Sequence, residues 1–210
     1  KSGSSGGAMS EFSDMGIFRS NTNINNELFT LKSPALMTEV VRRLRLNETY
    51  TVRKGLKNVD LYKANPVAVT FGEVMEKPVS FTIRIDSKDA FTISGLKVAG
   101  VESENTFAGR MGDSIQTAAG TLFISPTKFY SGACIGTSIR YAIGKADGAA
   151  DRYLNALRVE LGSKEATIIN LSINDTSIAR AEDILNTLIE VYNEKWIQDK
   201  NQIAVSTSQF

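Results

Sequence analysis

The stretch INLSINDTSIARAEDILNTLIEVYNEK, residues 169–195, decides the fold that this sequence predicts. Apolar and polar residues alternate over Ile169–Ile173, as they do in a strand with one solvated face. The next four residues, 174–177, are rich in side chains that cap the start of a helix. Apolar residues then recur at steps of three and four as far as Tyr192, which is the period of an amphipathic helix. The sequence therefore predicts a strand that leads directly into a long C-terminal helix.

Working outward from this stretch, the hydrophobic period changes twice along the chain. Ile24–Leu46 has a helical period that is interrupted at Ser33-Pro34, which predicts either one kinked helix or two helices. From Tyr50 to Ile143 the period is two, as in antiparallel strands and hairpins. Ala146–Leu154 reads as a short helix, and Leu157–Leu161 as a strand.

Turn residues divide the region of period two into separate strands. We place turns at Asp86–Asp89, at Ser94-Gly95, at Gly109 and at Gly112-Asp113, because Gly, Asp and Ser favour turns. The order of elements predicts an α+β fold, with a mixed or antiparallel sheet and three helical parts: an N-terminal helix, a short crossover helix and a long C-terminal helix packed on the sheet. The final third resembles part of a split β-α-β arrangement.

Composition excludes several kinds of protein. The 210 residues hold 24 Lys and Arg against 23 Asp and Glu, for a net charge of +1, so no basic footprint points to nucleic acid. There is no His, which removes the usual Ser-His-Asp machinery and zinc sites that need imidazole. The single Cys cannot form an internal disulfide. We therefore expect no metal and no cofactor.

Motifs for phosphate, dinucleotide or acyl chemistry are also missing from the sequence. Gly144-Lys145 lacks the rest of a phosphate-binding loop, and neither a dinucleotide-binding glycine motif nor a nucleophile elbow of the GxSxG type occurs. Cys134 lies between glycines, and we expect it to be a buried packing residue rather than a nucleophile. The acidic pairs Glu182-Asp183 and Asp86/Asp89 are expected to be solvated surface.

Three arginines form the one patch that we single out as a candidate site: Arg42, Arg43 and Arg45. They follow the N-terminal helical pattern, where cations suit the helix dipole. They are also suited to an interface or to an anionic ligand, and both interpretations stay open from the sequence. No catalytic residue is predicted.

Segments from both ends of the chain resemble the Wzz family, the chain-length determinants of bacterial polysaccharide export. The first is NNELFTLKSP (25–34) with VVRRLRL (40–46), which is similar to a helix of that family. The second is Ile168–Ile173, similar to a strand that enters a long helix. The third is AEDILNTL (181–188), followed by Tyr192. The length of the middle region is similar to that of capsule tyrosine autokinases of the Wzc type.

The resemblance implies that residues 14–210 are a periplasmic Wzz-like α+β domain of a bacterial inner-membrane protein. It implies self-association into a ring, contacts with polysaccharide polymerase or export proteins, and no catalysis in this region, while a cytoplasmic tyrosine kinase belongs to the Wzc-type parent. The function expected is control of the chain length and export of a capsule, exopolysaccharide or O-antigen. We expect residues 1–13 to be a linker or cloning remnant, because Gly and Ser dominate them.

Two other functions stay open from the residues. A glycan-binding or adhesion module would use strands and aromatic side chains as its binding face. A small enzyme would use Cys134 or paired carboxylates.

Overall fold

A computed structural model gives the fold and describes residues 24–162 and 168–207. The predicted linker at 1–13 lies outside the described residues. The fold is α+β, as predicted, and every strand pairing in the described part of the chain is antiparallel. Contacts divide the chain into two units, one formed by Val41–Ala149 and the other by the described residues before and after it.

The helices agree with the sequence periods. The interrupted N-terminal pattern forms two helices, α1 (24–31) and α2 (Pro34–Leu44), because Ser33 and Pro34 break the first and begin the second. The short helix α3 spans Ala146–Ala156, and the long helix α4 spans Ile178–Thr207.

Ten strands and two short 3-10 turns build the unit Val41–Ala149. The strands are β1 (Glu48–Lys54), β2 (Lys57–Asp60), β3 (Val67–Phe71), β4 (Val79–Ile85), β5 (Ala90–Val98), β6 (Val101–Glu102), β7 (Phe107–Arg110), β8 (Ser114–Thr117), β9 (Gly120–Pro126) and β10 (Ser138–Ile143). The 3-10 turns are Tyr62–Ala64 and Gly132–Cys134.

Two sheets share the core of this unit. One has the order β2-β1-β10-β4-β5-β6, with β7 also paired to β5, and the other has the order β3-β9-β8. One apolar cluster joins side chains from both sheets, including Phe81, Ile83 and Tyr141 from the first and Val69 and Ile124 from the second. Alternate residues of central strands such as β4 and β10 are buried, which explains why the period of two was visible in the sequence.

Two predicted turns are wrong. Ser94-Gly95 lies inside β5, where Gly95 has φ +61° and the pairing with β4 shifts register, so the glycine forms a bulge. Gly109 lies inside β7, and a Cβ there would come within 2.9 Å of the Phe91 ring. Both glycines lie within strands, where a β-bulge or the close approach of a neighbouring side chain also requires glycine.

The second unit holds a two-stranded sheet and the long helix. Strands β11 (Leu157–Leu161) and β12 (Ile169–Ile173) pair with each other, and α4 contacts β12. The split β-α-β arrangement expected from the sequence is wrong for the described strands, because β10 and β11 belong to different sheets.

Candidate functional site

The structure places the three predicted arginines, Arg42, Arg43 and Arg45, around the end of α2. All three are exposed, and Arg45 among them lines a cleft in the unit Val41–Ala149. Arg42 and Arg43 belong to the last turn of α2. Arg45 follows the helix end, where its amide donates to the carbonyl of Arg42 and the amide of Leu46 donates to the carbonyl of Val41. This is a Schellman ending, in which the residue at the position of Arg45 is left-handed and is usually glycine.

The cleft has a volume of about 170 Å³ and contains groups of both charges. The following residues line it: Leu44, Arg45, Glu48, Tyr50, Asp60, Tyr62, Lys63, Asn65 and Ala68. They come from the end of α2, from β1 and β2, from the first 3-10 turn and from β3. All of them belong to one unit, so the site does not depend on how the two units are arranged.

The inner wall of the cleft is an ion pair. Arg45 Nε lies 2.8 Å from Glu48 Oε1, and Arg45 Nη2 lies 2.7 Å from the same oxygen. Arg45 Nη2 also donates to the carbonyl of Val69 at 3.2 Å, which ties the arginine to β3. The Glu48 side chain is only 9% exposed, whereas that of Arg45 is 55% exposed. The carboxylate is therefore the inner partner and the guanidinium the outer one.

Burial shapes the protonation of this pair. It raises the pKa of Glu48 above its usual value, and the bond and charge of Arg45 only partly offset this effect. Burial alone would lower the pKa of Arg45, but the bond and charge of Glu48 raise it. The contact affects the two partners differently. It favours the charged form of the guanidinium, whereas loss of hydration still disfavours the charged form of the buried carboxylate.

Two tyrosines in edge-to-face contact lie beside the ion pair. Tyr50 and Tyr141 are opposite each other in β1 and β10, with ring centroids 5.0 Å apart. The Tyr50 hydroxyl accepts a hydrogen bond from the amide of Val69 at 2.9 Å. The Tyr141 hydroxyl is fully buried and has no regular hydrogen bond in the described residues, although it is near enough to Glu48 for each to affect the other's pKa.

The second candidate site is an exposed apolar face on α4. Its members are Ile178, Leu185, Ile189, Tyr192 and Trp196, separated by steps of seven, four, three and four. Ile178 is 78% exposed, Ile189 43% and Trp196 49%. The helix buries a different set, Ile184, Leu188 and Val191, on another side. A helix of the second unit therefore has one covered apolar stripe and one open stripe.

Helix α1 covers part of the open stripe. The Tyr192 hydroxyl donates a hydrogen bond to Glu27 of α1, and Tyr192 is half-buried. Burial and this bond to the Glu27 carboxylate together raise the pKa of Tyr192 to about 12. From Asn193 to Lys200, every residue of α4 is exposed.

The remaining sequence candidates do not come together as a reactive site. Cys134 is half-buried, not buried as predicted, because it lies in the exposed 3-10 turn Gly132–Cys134. Asp86 accepts bonds from Thr92 and Arg84, which lower its pKa as an ordinary surface ion pair does. Within residues 24–162 and 168–207, no three acidic or Cys side chains are grouped as metal ligands.

Sequence reasoning missed most of the cleft. Glu48, Asp60, Tyr62 and Lys63 meet Arg45 only because the hairpin β1-β2 returns the chain to the end of α2. The charge of Arg45 made it a candidate site residue, but its left-handed backbone was not predicted. The one available signal was a helix ending in Leu-Arg-Leu without the glycine that usually follows such a helix.

No protein-family model matches this chain, and a search among curated proteins gave no match. Of the helices in the described part of the chain, none is long and apolar enough to cross a membrane.

Proposed function

We propose that this chain is the periplasmic assembly domain of a Wzz-like inner-membrane protein that regulates the chain length and export of a bacterial polysaccharide. Copies of the chain associate with one another, and the assembly is the scaffold on which polymer length is set. The resemblance of residues 25–46, 168–173 and 181–192 to that family supports this proposal. The observation that carries it is the open apolar face of α4.

The spacing of this face is that of helices that pair with other helices. The steps of seven, four, three and four keep the residues from Ile178 to Trp196 in one seam, as in a coiled coil. Ile178, Ile189 and Trp196 are the exposed members of this face, whereas Tyr192 is half-buried and donates to Glu27 of α1. A helix or sheet edge of a second copy would bury the exposed members.

The size of the face predicts weak association. Full burial of a large apolar side chain stabilises by about 1.5–3 kcal/mol, and the face offers few such side chains. Association of two free molecules costs about 4–15 kcal/mol in lost freedom of motion. We therefore expect the free chain to be monomeric or weakly associated, whereas copies held in one membrane would associate because tethering raises their effective concentration.

This role needs no chemistry from the chain itself. The geometry of repeated subunits, closed into a ring, would define the assembly. Tyrosine kinase activity would belong to a cytoplasmic part of a Wzc-type parent, and polymerase or export proteins would be its other partners.

The proposal is tested in a bacterium that makes this protein, by replacing the chromosomal copy with a Trp196→Ser variant. We expect the polysaccharide to lose its preferred length, which a gel of the extracted polymer shows as a broader or shorter distribution. The matched control is Leu56→Ser, which removes an apolar side chain that is 94% exposed in the β1-β2 turn. An unchanged length distribution in the Trp196→Ser strain, at normal protein level, would contradict the proposal.

A further inference from the structure

One face of the larger sheet of the unit Val41–Ala149 is open to solvent and carries arginines on three neighbouring strands. The other face belongs to the apolar cluster of the unit, as the buried pair Val52 in β1 and Ile139 in β10 illustrates. Side chains alternate along a strand, so the next residue of each strand lies on the open face. Three exposed arginines occupy such positions: Arg53 in β1, Arg140 in β10 and Arg84 in β4.

The register of the strands brings these arginines close together. Arg140 is directly opposite Thr51 of β1 and Thr82 of β4. Arg53 and Arg84 each lie two positions further along their strands, so both are diagonal neighbours of Arg140. Diagonal neighbours on one sheet face are about 7–8 Å apart, which is within the reach of long side chains. One anionic chain that crosses β1, β10 and β4 can therefore contact all three guanidinium groups.

The charges of these arginines are only partly neutralised within the chain. Arg84 pairs with Asp86, with 2.6 Å between Nε and Oδ1, and the Arg84 side chain is 60% exposed. Arg53 donates from Nε to the carbonyl of Gly55 at 3.2 Å, which is a neutral acceptor. Among the described residues, neither Arg53 nor Arg140 forms an ion pair. Two positive charges of this face therefore have no counter-charge in the described part of the chain.

The turn between β1 and β2 adds two lysines beside Arg53. Lys54 and Lys57 are directly opposite each other, and both are exposed. Like charges in opposite positions destabilise a strand pair. The acid of β2, Asp60, accepts a hydrogen bond from the amide of Tyr62. An anionic partner would relieve the repulsion between the lysines as well as that between the arginines.

The whole unit that contains this face is basic. Val41–Ala149 holds 15 Lys and Arg against 10 Asp and Glu, for a net charge of +5. The rest of the chain holds 9 against 13, for a net charge of −4, so the total of +1 hides a strong asymmetry. Such asymmetry between parts of a chain indicates that the basic part has an acidic partner.

The neighbours of the arginines narrow the class of partner. The other positions on the open face of β1, β4 and β10 are small, and all but one carry a hydroxyl group: Thr49, Thr51, Ser80, Thr82, Ser138 and Ala142. These three strands, all of them described, present no aromatic or large apolar side chain on this face. Protein partners are usually anchored by such side chains, and nucleic-acid bases stack on aromatic rings. Arginines among hydroxyl groups suit a partner that is rich in carboxylates and hydroxyls.

We propose that this basic face, defined as Arg53, Lys54, Lys57, Arg84 and Arg140, binds an acidic polysaccharide that lies across β1, β10 and β4. The carboxylates of the polymer accept hydrogen bonds from the arginines, and its hydroxyl groups bond to the threonines and serines beside them. The choice of a polysaccharide among acidic polymers rests on the proposed function, and it implies that the polymer whose length is controlled is acidic. The binding itself does not require association through α4.

The test is a titration of the free chain with a short oligogalacturonate, followed by backbone amide NMR shifts. We expect saturable binding that weakens as salt rises, with the largest shifts in β1, β4 and β10. A neutral malto-oligosaccharide of the same length lacks the carboxylates, and polyglutamate lacks the sugar hydroxyls, so we expect both to bind about fivefold more weakly or less. Equal binding of either probe, or shifts that lie elsewhere, would overturn the proposal.

Vesicles of anionic phospholipid test the rival partner, a membrane surface. The β1-β2 turn exposes Leu56, which a lipid surface would bury and a polysaccharide would not need. We expect Leu56→Ser, which keeps every charge of the basic face, to bind oligogalacturonate as the parent does. Tighter binding of the parent to the vesicles than to oligogalacturonate, lost in Leu56→Ser, would overturn the polysaccharide assignment.

Variants of Arg140 separate binding from folding. Arg140→Thr gives β10 the same residue that Thr51 and Thr82 place beside it, so the sheet should persist while oligogalacturonate affinity falls about fivefold. Arg140→Lys keeps the charge and should retain most of the affinity. Arg158→Thr is the matched control, because it removes the charge of an exposed strand arginine in β11, outside the unit. Unchanged affinity in folded Arg140→Thr, or an equal loss in Arg158→Thr, would contradict the proposed face.

The α4 face and the basic face can be tested separately. Trp196→Ser, which interrupts the α4 face, should bind oligogalacturonate with the affinity of the parent. Loss of length control in that variant therefore reports on assembly alone, and loss of oligogalacturonate binding in Arg140→Thr reports on the basic face alone. A Trp196→Ser variant that is folded but no longer binds oligogalacturonate would contradict the location of the site on β1, β10 and β4.

Discussion

At the scale of single residues, Tyr50 and Tyr141, which are in edge-to-face contact, differ in what their hydroxyl groups do. Tyr50 accepts the Val69 amide, so it joins β1 of the larger sheet to β3 of the smaller one. Tyr141 contributes ring contacts with Tyr50 and with Phe81, at 5.0 and 5.1 Å between centroids, but its buried hydroxyl has no regular partner in the described residues. An unsatisfied buried hydroxyl costs free energy, whereas a satisfied one stabilises.

Removing each hydroxyl should therefore have different effects on stability. Tyr50→Phe leaves the Val69 amide buried and unpaired, and we expect it to lower the free energy of unfolding by about 1–3 kcal/mol. Tyr141→Phe removes a hydroxyl that lies near Glu48 but has no regular hydrogen bond in the described residues, and we expect a change within about 0.5 kcal/mol or a gain. Urea unfolding of both variants measures the difference, and an equal loss in Tyr141→Phe would show that its hydroxyl is bonded after all.

The sequence predicts the identity of such residues better than their roles. Alternation within β1 and β10 places both tyrosines on the buried face of their strands. Which hydroxyl finds a partner depends on Val69, a residue of another sheet, and no local pattern contains that information. For the same reason the left-handed backbone of Arg45 was missed, since its charge alone drew attention to it.

At the scale of elements, the start of α4 was predicted from the sequence and contains a buried ion pair that was not. Ser177 caps the helix by accepting the amide of Arg180 at 3.3 Å. Asp175 accepts the amide of Ser177 and pairs with Arg180 through two bonds of 2.9 and 2.7 Å. The side chains of Arg180 and Asp175 are 11% and 6% exposed. Burial alone would raise the pKa of Asp175, but the bonds from Arg180 and Ser177 outweigh it and lower this pKa.

Asp175→Asn tests how much this ion pair contributes to the free energy of unfolding. The change leaves Arg180 buried without its counter-charge, so we expect a loss of about 3–5 kcal/mol in the free energy of unfolding at pH 7. A lowered folded-state pKa means that the contribution is present above the unfolded value of about 4 and is lost as pH falls through the folded one. The difference between variant and parent should therefore shrink below pH 4 in denaturant titrations.

The exposed residue Glu182, on the same helix, provides the control for this prediction. Glu182→Gln should change the free energy of unfolding by no more than about 0.5 kcal/mol at either pH. A loss in Asp175→Asn that stays the same from pH 7 to pH 3 would contradict the electrostatic explanation and leave only a capping effect.

At the scale of the whole molecule, element order was enough to predict an α+β fold with antiparallel strands and a long final helix. It was not enough to assign β3, β8 and β9 to a separate sheet, because that choice depends on pairings such as Val67 with Pro126, far apart in sequence. For a related reason, the sequence did not predict the open stripe of α4. The apolar pattern that predicts this helix includes Leu185 and Tyr192 together with Leu188, and the structure divides them between two sides.

The central claim is that copies of this chain associate through α4 when they are held together. Trp196 is the single tryptophan and lies half-exposed on the face in question, so its fluorescence reports the contact directly. The most direct measurement is the emission maximum of the chain bound by a His tag to nickel-chelating vesicles, at increasing surface density. The same chain free in solution at micromolar concentration, monomeric by sedimentation, is the reference.

We expect the emission of the tethered chain to shift to shorter wavelength as density rises. The shift should disappear in Ile189→Ser, which keeps the tryptophan but interrupts the face, and should remain in Leu56→Ser. An emission maximum that is the same at every density, or a tight oligomer of the free chain at micromolar concentration, would contradict the association of tethered copies through α4.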